Sequence, residues 1–423
     1  MRKSAWVLFG IAATLSAKGQ EQKRQPPPDF TSGYQLPSPT TPVPKDALFA
    51  WIDVGVLLVA LVLAAWIVLC RRSRAWLLVL TGFCAAYFGF YRLGCVCSVG
   101  SLQNVALAFA DPSYRLSVSV AAFFLLPLLF ALFYGRVFCS GVCPLGAVQE
   151  LVLIRPIRIP EWIAGPLGLV PFLYLGLAVL YASAGAGFVV CRYDPFIGLY
   201  RLGSSPLMAW VTGLFLAASL FVGRPYCRFL CPYGALLRVA SWFASKPARI
   251  APAACISCHL CARECPYGAI LPPSPERELV PMHELRSSLA RRLGATVPLI
   301  LLLAALGWFA GPAMARVHPK VALAAELALS RAQPDAPKSL AVEAHLRLGR
   351  SDEEVWREAA TILKSFRLGA ALFGAWAGLV VSAYTISLAL RRRRREYIAE
   401  PGTCLACARC FASCPVLPQG DRP

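Results

Sequence analysis

Seven stretches of this chain are apolar over enough residues to cross about 30 Å of hydrocarbon: 47–69, 75–91, 117–134, 162–187, 206–222, 295–314 and 367–390. That pattern predicts a mostly α, polytopic helical membrane protein. The composition agrees, with 57% hydrophobic residues and 15% charged ones over 423 positions, where a soluble chain would carry about 25% charge. Disorder and a secreted disulfide scaffold are excluded by the same figures. The net charge of +20 does not call for nucleic acid, because the basic residues sit at the ends of the apolar runs.

Those ends set an orientation. Arg71, Arg72 and Arg74 follow the first run, Arg136, Arg155 and Arg158 the third, Arg224, Arg228, Arg238, Lys246 and Arg249 the fifth, and Arg391 to Arg395 the seventh. By the positive-inside rule these ends are cytoplasmic, and Arg291 and Arg292 start the sixth run on the same side. The chain is therefore expected to be multi-pass in a bacterial inner membrane, with its N-terminus external and its C-terminus cytoplasmic.

Arg2 and Lys3 precede an apolar run from Ala5 to Ala17, the form of a secretory signal or an uncleaved anchor over 1–19. Residues 20–46 are proline-rich and read as an external linker. Between the sixth and seventh runs, 315–366 is expected outside. There Ser351-Asp352-Glu353-Glu354 reads as a capping box opening a helix through Trp356 towards Phe366.

The 17 cysteines fall into tight motifs, which favours thiolate metal chemistry over disulfides. Gly135-Arg136-Val137-Phe138-Cys139-Ser140-Gly141-Val142-Cys143-Pro144-Leu145-Gly146-Ala147 recurs, in type, as Gly223-Arg224-Pro225-Tyr226-Cys227-Arg228-Phe229-Leu230-Cys231-Pro232-Tyr233-Gly234-Ala235, at an offset of 88 residues. Each copy follows a span and an external cysteine-bearing segment, Cys95 and Cys97 in one half and Cys191 in the other. A five-span membrane domain over 47–250 with duplicated helical hairpins is therefore expected. Cys139, Cys143, Cys227 and Cys231 are candidates to ligate one iron or a small iron–sulfur cluster. A reversible dithiol and plain packing are the competing readings. Cys95, Cys97 and Cys191 are weaker metal candidates, a disulfide serving equally well. Arg136 and Arg224 read either as positive-inside anchors or as neighbours that ease thiolate formation. Asp53 and Asp194 read as interfacial or arginine-paired carboxylates, or as proton or quinone groups.

Cys255-x2-Cys258-x2-Cys261-x3-Cys265-Pro266 and Cys404-x2-Cys407-x2-Cys410-x3-Cys414-Pro415 each carry the bacterial spacing for a cubane 4Fe-4S cluster. Three close thiolates wrap one face of a cube, and the fourth reaches the other cluster when two motifs pair. Cys255, Cys258, Cys261 and Cys414 would then hold one cluster, and Cys404, Cys407, Cys410 and Cys265 the other. Motif segments at 251–275 and 400–418 form a small, split, two-cluster ferredoxin module. Zinc is the competing ion. Cys255-x-x-Cys258-His259 also spells a haem-attachment string, but the longer motif claims both cysteines.

From about Trp51 to Pro415, the paired C-x3-C-P motifs and the two cubane motifs resemble the NosR/NapH-type family of membrane-bound polyferredoxins, with CcoG-type proteins as more distant relatives. The resemblance implies electron transfer across or along the inner membrane, often for a periplasmic reductase. NosR-type members also carry a flavin domain, which the linker over 20–46 does not match. The expected function is a conduit between cytoplasmic clusters and a membrane or periplasmic acceptor, more an electron-transfer component than a stand-alone enzyme. A cytoplasmic donor, a quinone and an external redox partner are the expected partners. The alternative is a metallocentre-assembly or redox-regulatory accessory factor of a respiratory enzyme.

Overall fold

The computed structural model describes residues 47–94, 97–203, 205–250, 255–273, 282–333, 339–348, 351–390 and 396–416. The expected leader, the linker and Cys95 lie outside these residues. The described chain is mostly helical. Five helical stretches are long and apolar enough to cross a membrane: Leu48–Arg71, Arg74–Tyr91, Glu161–Ser183, Arg286–Ala315 and Asp352–Ala389. Two shorter apolar helices, Val118–Tyr134 and Pro206–Ser219, coincide with the third and fifth runs.

In chain order, α1 (Ala47–Trp66) continues through a π-helical turn, and α2 (Arg74–Cys84) continues in the same way to Tyr91. Then come α3 (Ser98–Ala110), α4 (Val118–Tyr134), α5 (Val137–Gly141), α6 (Pro144–Leu151), α7 (Glu161–Leu167) and α8 (Val170–Ser183). After α9 (Val189–Tyr193) and α10 (Pro195–Tyr200), α11 (Pro206–Ser219) leads to α12 (Pro225–Phe229) and α13 (Pro232–Trp242). Proline opens α6, α10, α11, α12 and α13, where its missing N–H costs nothing and its fixed φ suits the first helical turn. Each C-x3-C-P motif is thereby a short helix, a break and a proline-started helix.

The rest comprises α14 (Leu260–Glu264), β1 (Ile270–Leu271), α15 (Met282–Ala315), α16 (Pro319–Ala332), α17 (Leu340–Leu348), α18 (Asp352–Ala389), β2 (Ile398–Ala399) and α19 (Arg409–Ala412). α15 and α18 form a long helical pair. Small residues permit it: a Cβ on Gly378 would stand 2.8 Å from Ile300 Cα, and one on Gly311 would stand 2.7 Å from Arg367 Cα. Gly307 and Gly311 lie against the backbone at Ala370 and Arg367, and Gly374 and Gly378 against that at Leu303 and Ile300, small residues at a close crossing as in membrane helices.

The helix expected through Trp356 towards Phe366 is present and continues through the last run, 38 residues in all. The capping box is corrected: Ser351 sits at the N-cap position without a side-chain capping bond. The neighbouring Asp352 carboxylate is instead taken by His345, at 2.9 Å, and Arg331.

The first motif's strand β1 pairs antiparallel with β2, Ile270 opposite Ala399 and Leu271 opposite Ile398. One continuous buried cluster joins this module to the membrane helices, running from Leu57, Leu61 and Val68 through Val137 and Tyr226 to Tyr267, Leu405 and Phe411. The module is therefore a cap packed onto the helices rather than a tethered appendage.

Candidate functional site

The two cubane motifs adopt matching backbones. Left-handed residues flank the middle cysteine in both, Ser257 and His259 around Cys258 (φ 54° and 62°) and Ala406 and Ala408 around Cys407 (φ 53° and 60°). The second left-handed residue is the N-cap of a short helix, α14 or α19, which carries the third cysteine. Such turns aim successive side chains, and N–H groups, at one point. Ala406 N–H donates to Cys404 Sγ at 3.4 Å.

Two hollows result. One, of about 580 Å³ including open space, is lined by Cys255, Cys258, Cys261 and Cys414 and also by Cys410, His259 and Tyr397, Cys410 bordering both hollows. The other, of about 450 Å³, is lined by Cys404, Cys407, Cys410 and Cys265. Each hollow thus receives three cysteines of one motif and the fourth of its partner. Four cysteine thiols around each hollow are the donor set that a cubane cluster takes.

A buried carboxylate ties this module to the membrane helices. Glu150, on α6, accepts from Arg74 at 3.0 Å and from Arg409 at 2.9 Å through Oε1, and from Arg224 and Tyr267 at 3.0 Å each through Oε2. Burial pushes its carboxyl up, but Arg224, Arg409 and Arg74 outweigh that and hold it down at about 2. Arg224 also donates to the Cys139 and Ser140 carbonyls, the latter at 3.0 Å. Neither Glu150 nor Gln149 was singled out by sequence reasoning. The available signal was a Gln-Glu pair inside an apolar helix directly after a cysteine motif.

The four C-x3-C-P cysteines are buried together in the same core. Gln149 Nε2 donates to Cys227 Sγ at 3.3 Å, Gly234 N–H to Cys231 Sγ at 3.3 Å, and Arg136 Nη2 lies 3.8 Å from Cys139 Sγ. Arg136 also donates to Gly402 O at 3.1 Å, next to the second cubane motif. Of the two matched arginines, Arg136 touches a sulfur and Arg224 binds carbonyls and Glu150. Neither is merely a surface anchor, since they are 5% and 1% exposed.

At the other end of α2 from Arg74, roughly 27 Å along an 18-residue helical stretch, a second pocket is lined by Cys97, Cys191, Asp53, Arg92 and Asp194. Asp53 accepts from Arg92 and, at 2.9 Å, from Tyr87, so it is a paired carboxylate. Asp194 caps α10 through Phe196 N–H and accepts from Tyr226 Oη at 3.1 Å. Burial pushes its carboxyl up to about 6. The segment that follows Cys191 reaches inward: Tyr200 Oη donates to Pro144 O at 2.5 Å, beside Cys143. Tyr200 and Tyr226 were not singled out in the sequence.

Family models described as 4Fe-4S binding domains match residues 116–160 and 205–250, which hold the two C-x3-C-P motifs, and residues 248–271, which hold the first cubane motif. The chain is 34% identical over 256 residues to the regulatory protein NosR of Pseudomonas aeruginosa, covering 52% of this chain and 34% of that one. It is 34% identical over 170 residues to YccM of Escherichia coli (36% of this chain, 47% of the relative). It is 30% identical over 243 residues to NirI of Paracoccus denitrificans (50% and 34%). The chain is a distant relative of these iron–sulfur membrane proteins. No solved structure matches it. The alignments span a third to a half of those relatives' own lengths. The similarities mark the chain as a membrane-associated iron–sulfur protein.

Proposed function

We propose that the chain is a redox accessory or regulatory factor of a respiratory metalloenzyme, moving electrons between a two-cluster module and the Cys97/Cys191 end of its membrane domain. Its ligand sets are Cys255, Cys258, Cys261 and Cys414 for one cluster, and Cys404, Cys407, Cys410 and Cys265 for the other. Bound cubanes supply one-electron exchange with little rearrangement. Seven spans, duplicated hairpins and a cytoplasmic module in a bacterial inner membrane complete the proposed topology.

The observation that carries this reading is the column of direct contacts that runs from Arg409 of the second cubane motif through Glu150 and Arg224 to the Cys139 carbonyl, with Gln149 on Cys227 Sγ and Tyr200 on the Pro144 carbonyl beside Cys143. Arg136, Arg224 and Gln149 brace it with bonds to sulfur and to the cysteine-bearing backbone. The membrane cysteines, if they bind a metal, would form a further iron or iron–sulfur centre between the two ends. The regulatory role follows the name of the Pseudomonas aeruginosa relative, regulatory protein NosR. Direct supply of electrons to a turning-over reductase is the second reading, favoured by the same column.

Two measurements test this. Anaerobically purified protein should hold about eight irons per chain in two cubanes, more with a further centre. Zinc in their place would end the redox reading. Removing the protein from mature membranes should leave turnover of the respiratory enzyme intact, whereas removing it during enzyme synthesis should yield enzyme with deficient metal content. Immediate loss of turnover would replace the accessory role with direct electron supply.

A further inference from the structure

We propose that a cleft where the cysteine module meets the membrane helices binds the phosphate headgroup of an anionic phospholipid through Arg228 and Arg238. The cleft has about 1900 Å³ of empty space, part of it open to the outside. Four arginines line it, Arg136, Arg158, Arg228 and Arg238, against two carboxylates, Glu161 and Glu400. Among the described residues none of the four makes an ion pair. Arg158 donates to Ala262 O, Arg136 donates to Gly402 O, and Arg228 lies over the Phe229 ring.

The unmet demand is specific. Arg136 is 5% exposed and its Nε has no partner, and the buried Nε of Arg238 likewise has none. Glu400, the acid that favours the Arg238 charge, already accepts from Thr403 at 2.6 Å. The four arginines thus share one cleft, and a guanidinium keeps its proton there. A partly buried cluster of like charge favours a counter-ion.

The surroundings identify that counter-ion as amphiphilic. The other walls of the cleft are Pro171 and Phe172, near the middle of the Glu161–Ser183 stretch, and Tyr384 and Leu388, at the end of the Asp352–Ala389 stretch. Charge and apolar wall therefore meet in one space at the end of the spans, where basic pockets between helices take up anionic headgroups. A free phosphate would use the arginines and leave the apolar wall bare.

The test uses full-length protein in detergent, delipidated and then titrated with phosphatidylglycerol, phosphatidylcholine or inorganic phosphate, with bound lipid read by native mass spectrometry. Wild type should retain phosphatidylglycerol, and Arg228→Gln/Arg238→Gln should weaken it about thirtyfold, as for loss of two cationic contacts at a membrane surface. Arg228→Lys/Arg238→Lys should recover most of the binding, separating charge from misfolding. Equal retention by the glutamine variant, equal binding of phosphatidylcholine, or displacement by millimolar inorganic phosphate would overturn the assignment. None of these readouts depends on the clusters or on electron flow.

Discussion

Arg224 donates its Nε to Glu150 Oε2 at 3.0 Å with both side chains almost wholly removed from solvent, 1% and 2% exposed. Arg224 lies between the two cysteine systems: one face of its guanidinium holds Glu150, and the other reaches the Cys139 and Ser140 carbonyls. Because Glu150 also receives Arg409 from the second cubane motif and Tyr267 from the first, a single carboxylate joins both motifs to the membrane helices.

Glu150→Gln keeps the shape and removes the charge, leaving three arginines around a neutral amide. Breaking a buried pair in this way costs about 3–5 kcal/mol, so the variant should melt far below wild type. The sign of the pH effect follows from a carboxyl held at about 2 against 4.5 in the open chain. Its contribution is complete above pH 4.5 and is lost as pH falls towards 2. Thermal melts of wild type and variant should converge on acidification, and a gap that stays constant down to pH 2 would refute this role.

The crossed ligand sets make a spectroscopic prediction. Cys414→Ser should disturb the same centre as Cys255→Ser, and Cys265→Ser the same centre as Cys404→Ser, although each pair is far apart in sequence. Low-temperature EPR of reduced protein sorts the four variants, and loss of one centre should lower iron from about eight to about four per chain. Sorting by motif, with Cys265 grouped with Cys255, would reject the crossed arrangement.

The cubane spacing made the local fold of each motif legible because its cysteines are close in sequence and the turn chemistry is local. The left-handed positions at Ser257, His259, Ala406 and Ala408 are a consequence of that spacing, although no glycine marks them. The apolar runs likewise lie on the observed helices, since length and hydropathy are properties of each segment alone. Glu150, Tyr226 and Tyr200 were not legible. Their importance arises from partners 32 to 259 residues away, and a single chain without its contacts gives a buried tyrosine no distinguishing mark. The inward reach of the segment that follows Cys191 was missed for a related reason: α9 and α10 are too short to register as membrane elements.

Gly378→Leu tests the helical pair. Its new side chain would begin 2.8 Å from Ile300 Cα, forcing α15 and α18 apart. Overpacking of this kind costs about 1–3 kcal/mol. Disulfide cross-linking between cysteines introduced on the two helices should fall, while Gly55→Leu, where a Cβ meets nothing within 4 Å, should leave it unchanged. Equal cross-linking in both variants would show that the close approach is not needed for pairing.

Tyr226→Phe removes one hydroxyl and keeps the ring against Phe196 and Phe215, so the loss should stay near the roughly 1 kcal/mol of a single hydrogen bond. Its sharper effect is on Asp194. Burial raises that carboxyl from 3.8 to about 6, and the Phe196 N–H and the Tyr226 hydroxyl both pull it back. A carboxyl whose folded value lies above its open-chain value holds extra protons when folded, so stability falls as pH rises from about 4 to about 6. Without the Tyr226 hydroxyl the folded value climbs further, and the upper edge of that decline moves to higher pH. Infrared titration of the protonated carboxyl band should follow the shift in Tyr226→Phe and lose the band in Asp194→Asn. A band that titrates identically in wild type and Tyr226→Phe would mean that the 3.1 Å contact does not stabilise the charged carboxylate.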